Sequence, residues 1–242
     1  MSDLQIRETN DGSHTLWITK LKESYHSLHG ALTESQHVFI EQGIQYFDQT
    51  FGGEELRILE VGFGTGLNAL LTCQYSQEQK TRIKYTTIEP HPLSWDLAGR
   101  LNYPNLLSHP QSHFWYKEQH IIDWGQIEWL NPYFSILKRK ETVQEHSSHE
   151  HYHICFFDAF APGKQPDIWD HKVLEMVKHM LEYQGILVSY CAQGQFKRDL
   201  KALGFSVESL PGPPGKKEMT RAILDTNDHL LTADLKSGDH EP

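Results

Sequence analysis

The sequence predicts a single α/β domain built around a mainly parallel β-sheet. Short apolar segments typical of buried strands alternate with segments of helical periodicity, which is the pattern of consecutive βαβ units. A glycine-rich turn at residues 62–66 directly follows one of these apolar segments, at the place where open α/β sheets bind their ligands. The 242 residues contain no repeat and no linker long enough to separate two domains.

The predicted elements follow one another in a regular order. Alternating polar and apolar residues at 14–18 predict a hairpin strand, and apolar side chains at helical spacing over 33–51 predict a helix with Thr33 or Ser35 as its N-cap. The core then comprises strands at 56–61, 83–88, 134–137, 154–157, 185–190, 205–208 and 220–224, and helices at 67–75, 92–101, 170–182 and 195–203. These segments predict a seven-stranded sheet, parallel except for an antiparallel last strand.

The composition excludes several classes of protein. Hydrophobic residues make up 38% of the chain and aromatic residues 11%, enough to form a core and to exclude global disorder. No apolar run approaches the roughly 20 residues of a membrane span, and the first residues lack a secretory signal, so we expect a cytoplasmic protein without membrane contact. Cys73, Cys155 and Cys191 are predicted to be reduced core residues.

The charge distribution bears on possible partners. A formal net charge of −10 is not that of a protein that coats nucleic acid. A local excess of Lys and Arg nevertheless lies between Tyr190 and Arg221, whereas residues 226–242 form an acidic tail. A basic site is therefore expected late in the chain.

The segment Glu60-Val61-Gly62-Phe63-Gly64-Thr65-Gly66 indicates the cofactor. Glycines allow a tight turn at the end of a strand and let a ligand approach the backbone. The dinucleotide fingerprint would need a glycine at Leu67, so a nicotinamide cofactor fits poorly. The spacing resembles the first motif of class I methyltransferases, a Rossmann-like fold that binds S-adenosylmethionine (SAM).

Acidic residues after the next two strands are candidates for contacts with SAM. Glu89 ends the second core strand, where a carboxylate can accept hydrogen bonds from both ribose hydroxyls. The alternative for Glu89 is an exposed residue without a ligand. An acid that contacts adenine is expected after the third strand, and both Asp123 and Glu141 remain open for that role.

The segment from Asp158 to Pro162 indicates the chemistry. It follows the fourth core strand and resembles the (Asn/Asp)-Pro-Pro-(Tyr/Phe) motif of amino-group methyltransferases. An alkyl amine is mostly protonated at neutral pH, and a carboxylate such as Asp158 can orient it and accept a proton. Phe160 and Trp169 would help to exclude water. The alternative is that Asp158 only caps a turn.

Longer blocks are similar to one methyltransferase family, that of the MnmC N-terminal domain, which also occurs alone as MnmD. The matching blocks are residues 34–40, 59–70, 88–90, 157–169 and 204–221. The resemblance implies SAM-dependent methylation of the amine of 5-aminomethyl-2-thiouridine at the tRNA wobble position, which gives the 5-methylaminomethyl form. It also implies a tRNA partner that binds through its anticodon region.

The resemblance extends to individual residues. Asp158 matches the family's catalytic acid. The candidate cofactor-binding residues are Glu60, Gly62, Phe63, Gly64, Gly66, Asn68 and Glu89, with Asp123 or Glu141 at the adenine. The candidate substrate-binding residues are Phe160, Pro162, Trp169, Tyr190, Lys216 and Lys217, because a flipped base needs aromatic walls and phosphates need a few placed cations. Lys216 and Lys217 could equally be an ordinary solvated pair.

The chain also departs from the family pattern. Bifunctional members carry an FAD-dependent oxidase domain. Here we expect no FAD, and separate enzymes would supply the aminomethyl substrate. The domains are predicted as an N-terminal extension (1–50) on the cofactor face, a methyltransferase domain (51–225) and the acidic tail. The polar stretch 138–153 looks like an insertion, and its histidines (His146, His149, His151 and His153) favour a solvated loop over a metal site.

Two other functions remain open at this point. One is methylation of a small-molecule amine by the same mechanism, which the acidic net charge would suit. The other is a SAM-binding scaffold without catalysis. A salt-sensitive affinity for tRNA would count against the first.

Overall fold

The computed structural model describes residues 3–148 and 150–225, so the predicted acidic tail and His149 lie outside the described residues. The strands are β1 (Leu4–Glu8), β2 (His14–Ile18), β3 (Glu23–Ser24), β4 (Glu55–Val61), β5 (Arg82–Ile88), β6 (Ile127–Asn131), β7 (Phe134–Arg139), β8 (Tyr152–Phe157), β9 (Leu181–Ser189), β10 (Phe205–Pro211) and β11 (Glu218–Leu224). The α-helices are α1 (Ala31–Ser35), α2 (Tyr46–Thr50), α3 (Leu67–Gln79), α4 (Trp95–Ala98), α5 (Tyr103–Leu106), α6 (Ser112–Ile121), α7 (His171–His179) and α8 (Gly194–Ala202). A π-helical segment, Gln36–Gln45, joins α1 to α2, and a 3₁₀ turn, Pro166–Trp169, precedes α7.

The main sheet has eight strands in the order β10-β11-β9-β8-β4-β5-β7-β6. The five strands from β9 to β7 in that order run parallel, while β11 is antiparallel to β9 and β10 is antiparallel to β11. The predicted α/β class and the seven predicted strands are therefore confirmed. The eighth strand, β6, is an additional antiparallel edge strand beside β7.

The sheet has a core on each face because its central strands are apolar on both sides. In β8, Phe156 belongs to the cluster that includes Phe39 and Ile44 of the π-helical segment. The next residue, Phe157, belongs to the cluster on the other face, with Val173 of α7. Because side chains on both faces of β8 are buried, the register of β8 is fixed, and with it the position of its carboxyl end.

The N-terminal strands form a separate three-stranded sheet, β1-β2-β3, that is bonded to the start of α1. The predicted cap at Thr33 or Ser35 is wrong, since the helix begins at Ala31. The free backbone N–H groups at the start of α1 donate hydrogen bonds to side chains in the turn between β1 and β2. Ser13 Oγ accepts from Ala31 N at 3.1 Å, and Asp11 Oδ2 accepts from Thr33 N at 2.9 Å. These bonds fix the N-terminal sheet to the helix.

The loop within the polar stretch 138–153 is shorter than the sequence predicts, because both ends of the stretch belong to strands. Lys138 lies in β7 with its side chain fully buried, and His153 lies in β8. His146 is also buried, so this part of the chain is not simply solvated. The described residues contain no group of three or more side chains that could hold a metal ion.

The described part of the chain has no helix long and apolar enough to cross a membrane. Its three cysteines are buried and form no disulfide.

Candidate active site

A cavity of about 740 Å³ lies at the carboxyl ends of β4, β5 and β8, and residues of β2 and β3 also line it. This is the edge at which open α/β sheets bind ligands. The structure brings nine of the predicted site residues to this cavity: Gly62, Phe63, Gly64, Asn68, Glu89, Asp158, Phe160, Tyr190 and Lys216.

The glycine loop is shaped by close backbone approaches. Gly62 has a φ of +101°, and a Cβ built there would lie 2.6 Å from the backbone oxygen of Asp158. A side chain at this position would therefore push apart the loops after β4 and β8. Gly66 does not line the cavity. It precedes α3 with a φ of +74°, and a Cβ there would lie 2.5 Å from Gln119 Nε2 of α6. The absence of a side chain at Gly66 thus allows α6 to approach the start of α3 closely.

Glu89 is held against the glycine loop by two backbone hydrogen bonds. Its Oε2 accepts from Gly64 N at 3.1 Å, and its Oε1 accepts from His91 N at 2.8 Å. Each carboxylate oxygen keeps a further lone pair for a ligand. The side chain is thus positioned at the cavity before any ligand binds.

Asp158 is part of a buried network of hydrogen bonds. The Asn68 Nδ2 group donates to Asp158 Oδ2 at 2.9 Å and to Glu60 Oε1 at 3.1 Å. Thr87 Oγ1 donates to Glu60 Oε2 at 2.7 Å. Glu60 is fully buried and does not line the cavity, and its carboxylate holds the Asn68 amide.

The environment favours the protonated form of both carboxyl groups. Burial, together with the charge of Glu34, raises the pKa of Asp158 to about 7, against the opposing effects of the Asn68 hydrogen bond and of Lys216. Burial also raises the pKa of Glu60 to about 8, although the hydrogen bond from Thr87 opposes this. Asp158 is therefore a much stronger base than an ordinary aspartate.

The raised pKa of Glu60 predicts how the variant Glu60→Gln changes stability. A carboxyl group whose pKa rises on folding stabilises the protein below its unfolded-state pKa, near 4.5, and this stabilisation is lost as the pH rises toward 8. We expect the free energy of unfolding of Glu60→Gln to fall less between pH 5 and pH 8 than that of the parent protein. Urea unfolding at several pH values measures this.

The exposed Glu54 provides the matched control for that experiment. Glu54→Gln should leave the pH dependence of the parent unchanged. Parallel curves for Glu60→Gln and the parent would contradict the prediction.

Besides Glu60 and Gly66, five predicted residues do not line the cavity. Asp123 is exposed and Glu141 is bonded to His146 Nδ1 at 2.7 Å, so neither candidate for the adenine contact lines the cavity. Trp169 is buried, and its Nε1 donates to Phe160 O at 2.7 Å. Pro162 and Lys217 also lie outside the lining.

Sequence reasoning missed several residues of the cavity. Tyr25 faces Phe160, with the two ring centroids 5.0 Å apart in an edge-to-face arrangement. Glu34 lies in the cavity wall and is 5% exposed. His26 is buried there as well, and burial lowers its pKa to about 4. The position of Glu34 in a matched family block was the signal that could have identified it.

Comparison with known proteins identifies the class of enzyme. The sequence profile of a family described as S-adenosyl-L-methionine-dependent methyltransferases matches residues 135–225, which include Asp158, Tyr190 and Lys216. This segment of the chain is similar to S-adenosyl-L-methionine-dependent methyltransferases. The predicted enzyme class and SAM as cofactor are thus confirmed.

The methyltransferase is similar to two curated proteins named tRNA 5-methylaminomethyl-2-thiouridine biosynthesis bifunctional protein MnmC. The Pseudomonas fluorescens protein is 27% identical over 212 residues, which cover 81% of this chain and 31% of the relative. The Azoarcus sp. protein is 27% identical over 226 residues, which cover 86% of this chain and 34% of the relative. The chain spans about a third of the length of these relatives.

The fold of the methyltransferase is similar to that of a solved structure. The crystal structure of MNMC2 from Aquifex aeolicus matches with a TM-score of 0.75 and 24% identity. The match covers 97% of this chain and 76% of the other. The class I methyltransferase fold predicted from the sequence is confirmed.

Proposed function

We propose that this methyltransferase transfers a methyl group from SAM to the primary amine of 5-aminomethyl-2-thiouridine at the tRNA wobble position. The observation that carries the proposal is the Asp158 carboxyl group in the cavity wall, held by Asn68 beside the glycine loop. The name of the MnmC relatives, which specifies biosynthesis of 5-methylaminomethyl-2-thiouridine in tRNA, supports this amine as the acceptor. A cytoplasmic site of action is part of the proposal.

The residues of the cavity fit SAM. Gly62 and Gly64 leave the backbone accessible, and Glu89 offers two carboxylate oxygens for the ribose hydroxyls. Asn68 Oδ1 is a buried acceptor without a hydrogen-bond partner in the described residues, which suits a donor group of a ligand. When bound, SAM supplies a methyl group on a positively charged sulfur.

Asp158 would prepare the amine for attack. An ammonium nitrogen of the substrate donates one proton to the carboxylate, and the nitrogen thereby regains the electron pair that forms the new bond. A base with a pKa of about 7 accepts this proton more readily than an ordinary aspartate does. The Tyr25 and Phe160 rings would limit the access of water to the reacting nitrogen.

Two predicted substrate residues outside the cavity lining, Lys217 and Trp169, are proposed to act in different ways. We propose that the exposed Lys217 contacts a phosphate of the tRNA, since a phosphate contact needs a cation at the surface. Trp169 is proposed to act indirectly, because it holds the backbone of Phe160.

The ribose function of Glu89 predicts the effect of Glu89→Ala. Loss of a charged acceptor for the ribose hydroxyls should weaken SAM binding by about 10- to 100-fold. Isothermal titration with SAM measures the change, and the exposed Glu128 provides the control variant Glu128→Ala. Equal SAM affinity in Glu89→Ala and Glu128→Ala would remove Glu89 from the cofactor site.

The experiment that tests the proposed function is transfer of radiolabelled methyl from SAM. One acceptor is tRNA that carries 5-aminomethyl-2-thiouridine, and the other is the same tRNA without the aminomethyl group. We expect label only in the first, recovered as the 5-methylaminomethyl nucleoside. Absence of label in both, with SAM binding confirmed, would overturn the tRNA assignment in favour of a small amine.

A further inference from the structure

An ion pair between a buried carboxylate and a half-buried ammonium lines the same cavity as Asp158. Glu34 Oε1 accepts a hydrogen bond from Lys216 Nζ, and Glu34 Oε2 accepts one from Ser27 N at 2.8 Å. The side chain of Glu34 is 7% exposed and that of Lys216 is 30% exposed. Desolvation of the buried Glu34 carboxylate offsets much of the attraction to Lys216, so the pair contributes little to stability by itself. Its position in the cavity wall instead suggests contact with a ligand.

The pair is fixed in orientation beside the catalytic carboxyl group. Lys216 Nζ lies 3.7 Å from the centroid of the Tyr190 ring. The Tyr190 hydroxyl in turn donates to Ala159 O at 2.8 Å, in the residue next to Asp158. Lys216 is thus held between Glu34 and the Tyr190 ring, and Tyr190 is hydrogen-bonded to the loop that carries Asp158.

Both members of the pair retain hydrogen-bonding capacity. Each Glu34 oxygen accepts one hydrogen bond from protein and has a second lone pair. Lys216 has three N–H donors, of which one is directed to Glu34. Together they present a donor and an acceptor side by side in the cavity.

We propose that this pair recognises the imide edge of the substrate's pyrimidine, with Glu34 accepting from N3–H and Lys216 donating to O4. This inference rests on the proposed function. Along the edge of a 5-aminomethyluracil the amine is followed by the O4 acceptor and then by the N3–H donor. Asp158, Lys216 and Glu34 line the same cavity and offer a complement to each of these groups. A cytosine has a donor and an acceptor in the reverse positions, so the pair would disfavour it.

The test uses synthetic anticodon hairpins that carry 5-aminomethyl-2-thiouridine, either unmodified at N3 or methylated at N3. The parent protein should methylate the N3–H hairpin about 10- to 100-fold more efficiently, because N3-methylation removes a hydrogen bond to a charged group. Glu34→Ala should reduce this ratio to about threefold or less, since it removes the acceptor and leaves space for the methyl group. Lys216→Met should slow methylation of both hairpins and leave the ratio high.

The ratio is measured within one protein, so it does not depend on the folded fraction of a variant. Glu34→Gln keeps an acceptor oxygen and should retain part of the discrimination. Glu41→Gln, in the π-helical segment that follows α1 and with an exposed side chain, is the control with the parental ratio. Anisotropy measurements of hairpin binding without SAM should show the same ratio in the dissociation constants.

The outcomes separate this inference from the proposed function. If the parent protein methylates neither hairpin, the proposed function fails. If it methylates the N3–H hairpin and Glu34→Ala keeps the parental ratio, the function stands and the pair only joins α1 to the loop before β11.

Discussion

Asp158→Asn is expected to reduce methyl transfer by about 100- to 10,000-fold, the range associated with loss of a general base. Asparagine keeps the size of the side chain but cannot accept a proton from the substrate ammonium. SAM affinity should change little, because the cofactor residues of the glycine loop and Glu89 are unaltered. Single-turnover transfer of radiolabelled methyl and isothermal titration with SAM measure the two properties separately.

The pH dependence of the parent protein provides an independent check on Asp158. Since the carboxyl group has a pKa of about 7 and acts as the carboxylate, kcat/KM should fall as the pH decreases through 7. In Asp158→Asn the inflection near pH 7 should disappear and the residual rate should keep rising with pH as more of the substrate amine loses its proton, whereas the exposed Asp96→Asn should retain the parental profile and rate. An Asp158→Asn enzyme with full activity would remove Asp158 from the mechanism.

The features that local sequence predicts are those that depend on neighbouring residues. The apolar run of β4 and the glycines after it place the start of the site, because strand burial and a tight turn are encoded within a dozen residues. Asp158 follows β8 in the same way. The rule that ligands bind at the carboxyl ends of parallel strands then brings these loops together in the cavity.

The residues that sequence reasoning missed depend on contacts between distant parts of the chain. The carboxyl group of Glu34 meets Lys216 across 182 positions of sequence, and no periodicity encodes such a pair. Helix α6 was not predicted because its inward face includes Ser112 and Gln119, which interrupt the apolar stripe. Strand β6 escaped prediction because it has only five residues and its alternation of apolar and polar side chains breaks at Leu130.

The two candidates for the adenine contact also show that local sequence does not determine where a side chain points. An acid after the third strand was expected, but Asp123 precedes that strand and is exposed. Glu141 does follow β7, yet its carboxylate is bonded to His146 rather than directed into the cavity. The neighbouring Thr142 and Val143 line the cavity instead. Spacing locates the loop correctly, whereas side-chain direction depends on how the loop packs.

Among alanine substitutions at the glycines that line the cavity, Gly62→Ala should cause the largest loss of stability and of methyl transfer. The new Cβ would lie 2.6 Å from the backbone oxygen of Asp158, and a φ of +101° is strained for any residue with a side chain. We expect a loss of about 2–4 kcal/mol in the free energy of unfolding, from strain and collision together. Methyl transfer should fall by about 100-fold or more even in the folded fraction, because the backbone that carries Asp158 must move.

Gly125→Ala separates the two causes of that loss. Gly125 also has a positive φ, +86°, but a Cβ there has no atom within 4 Å. It should therefore cost only the conformational part, about 1 kcal/mol, and leave methyl transfer at the parental rate. Urea unfolding and the methyl-transfer assay on both variants give the comparison. If Gly62→Ala lost no more stability or activity than Gly125→Ala, then the close approach of the loops after β4 and β8 would not be needed to position Asp158.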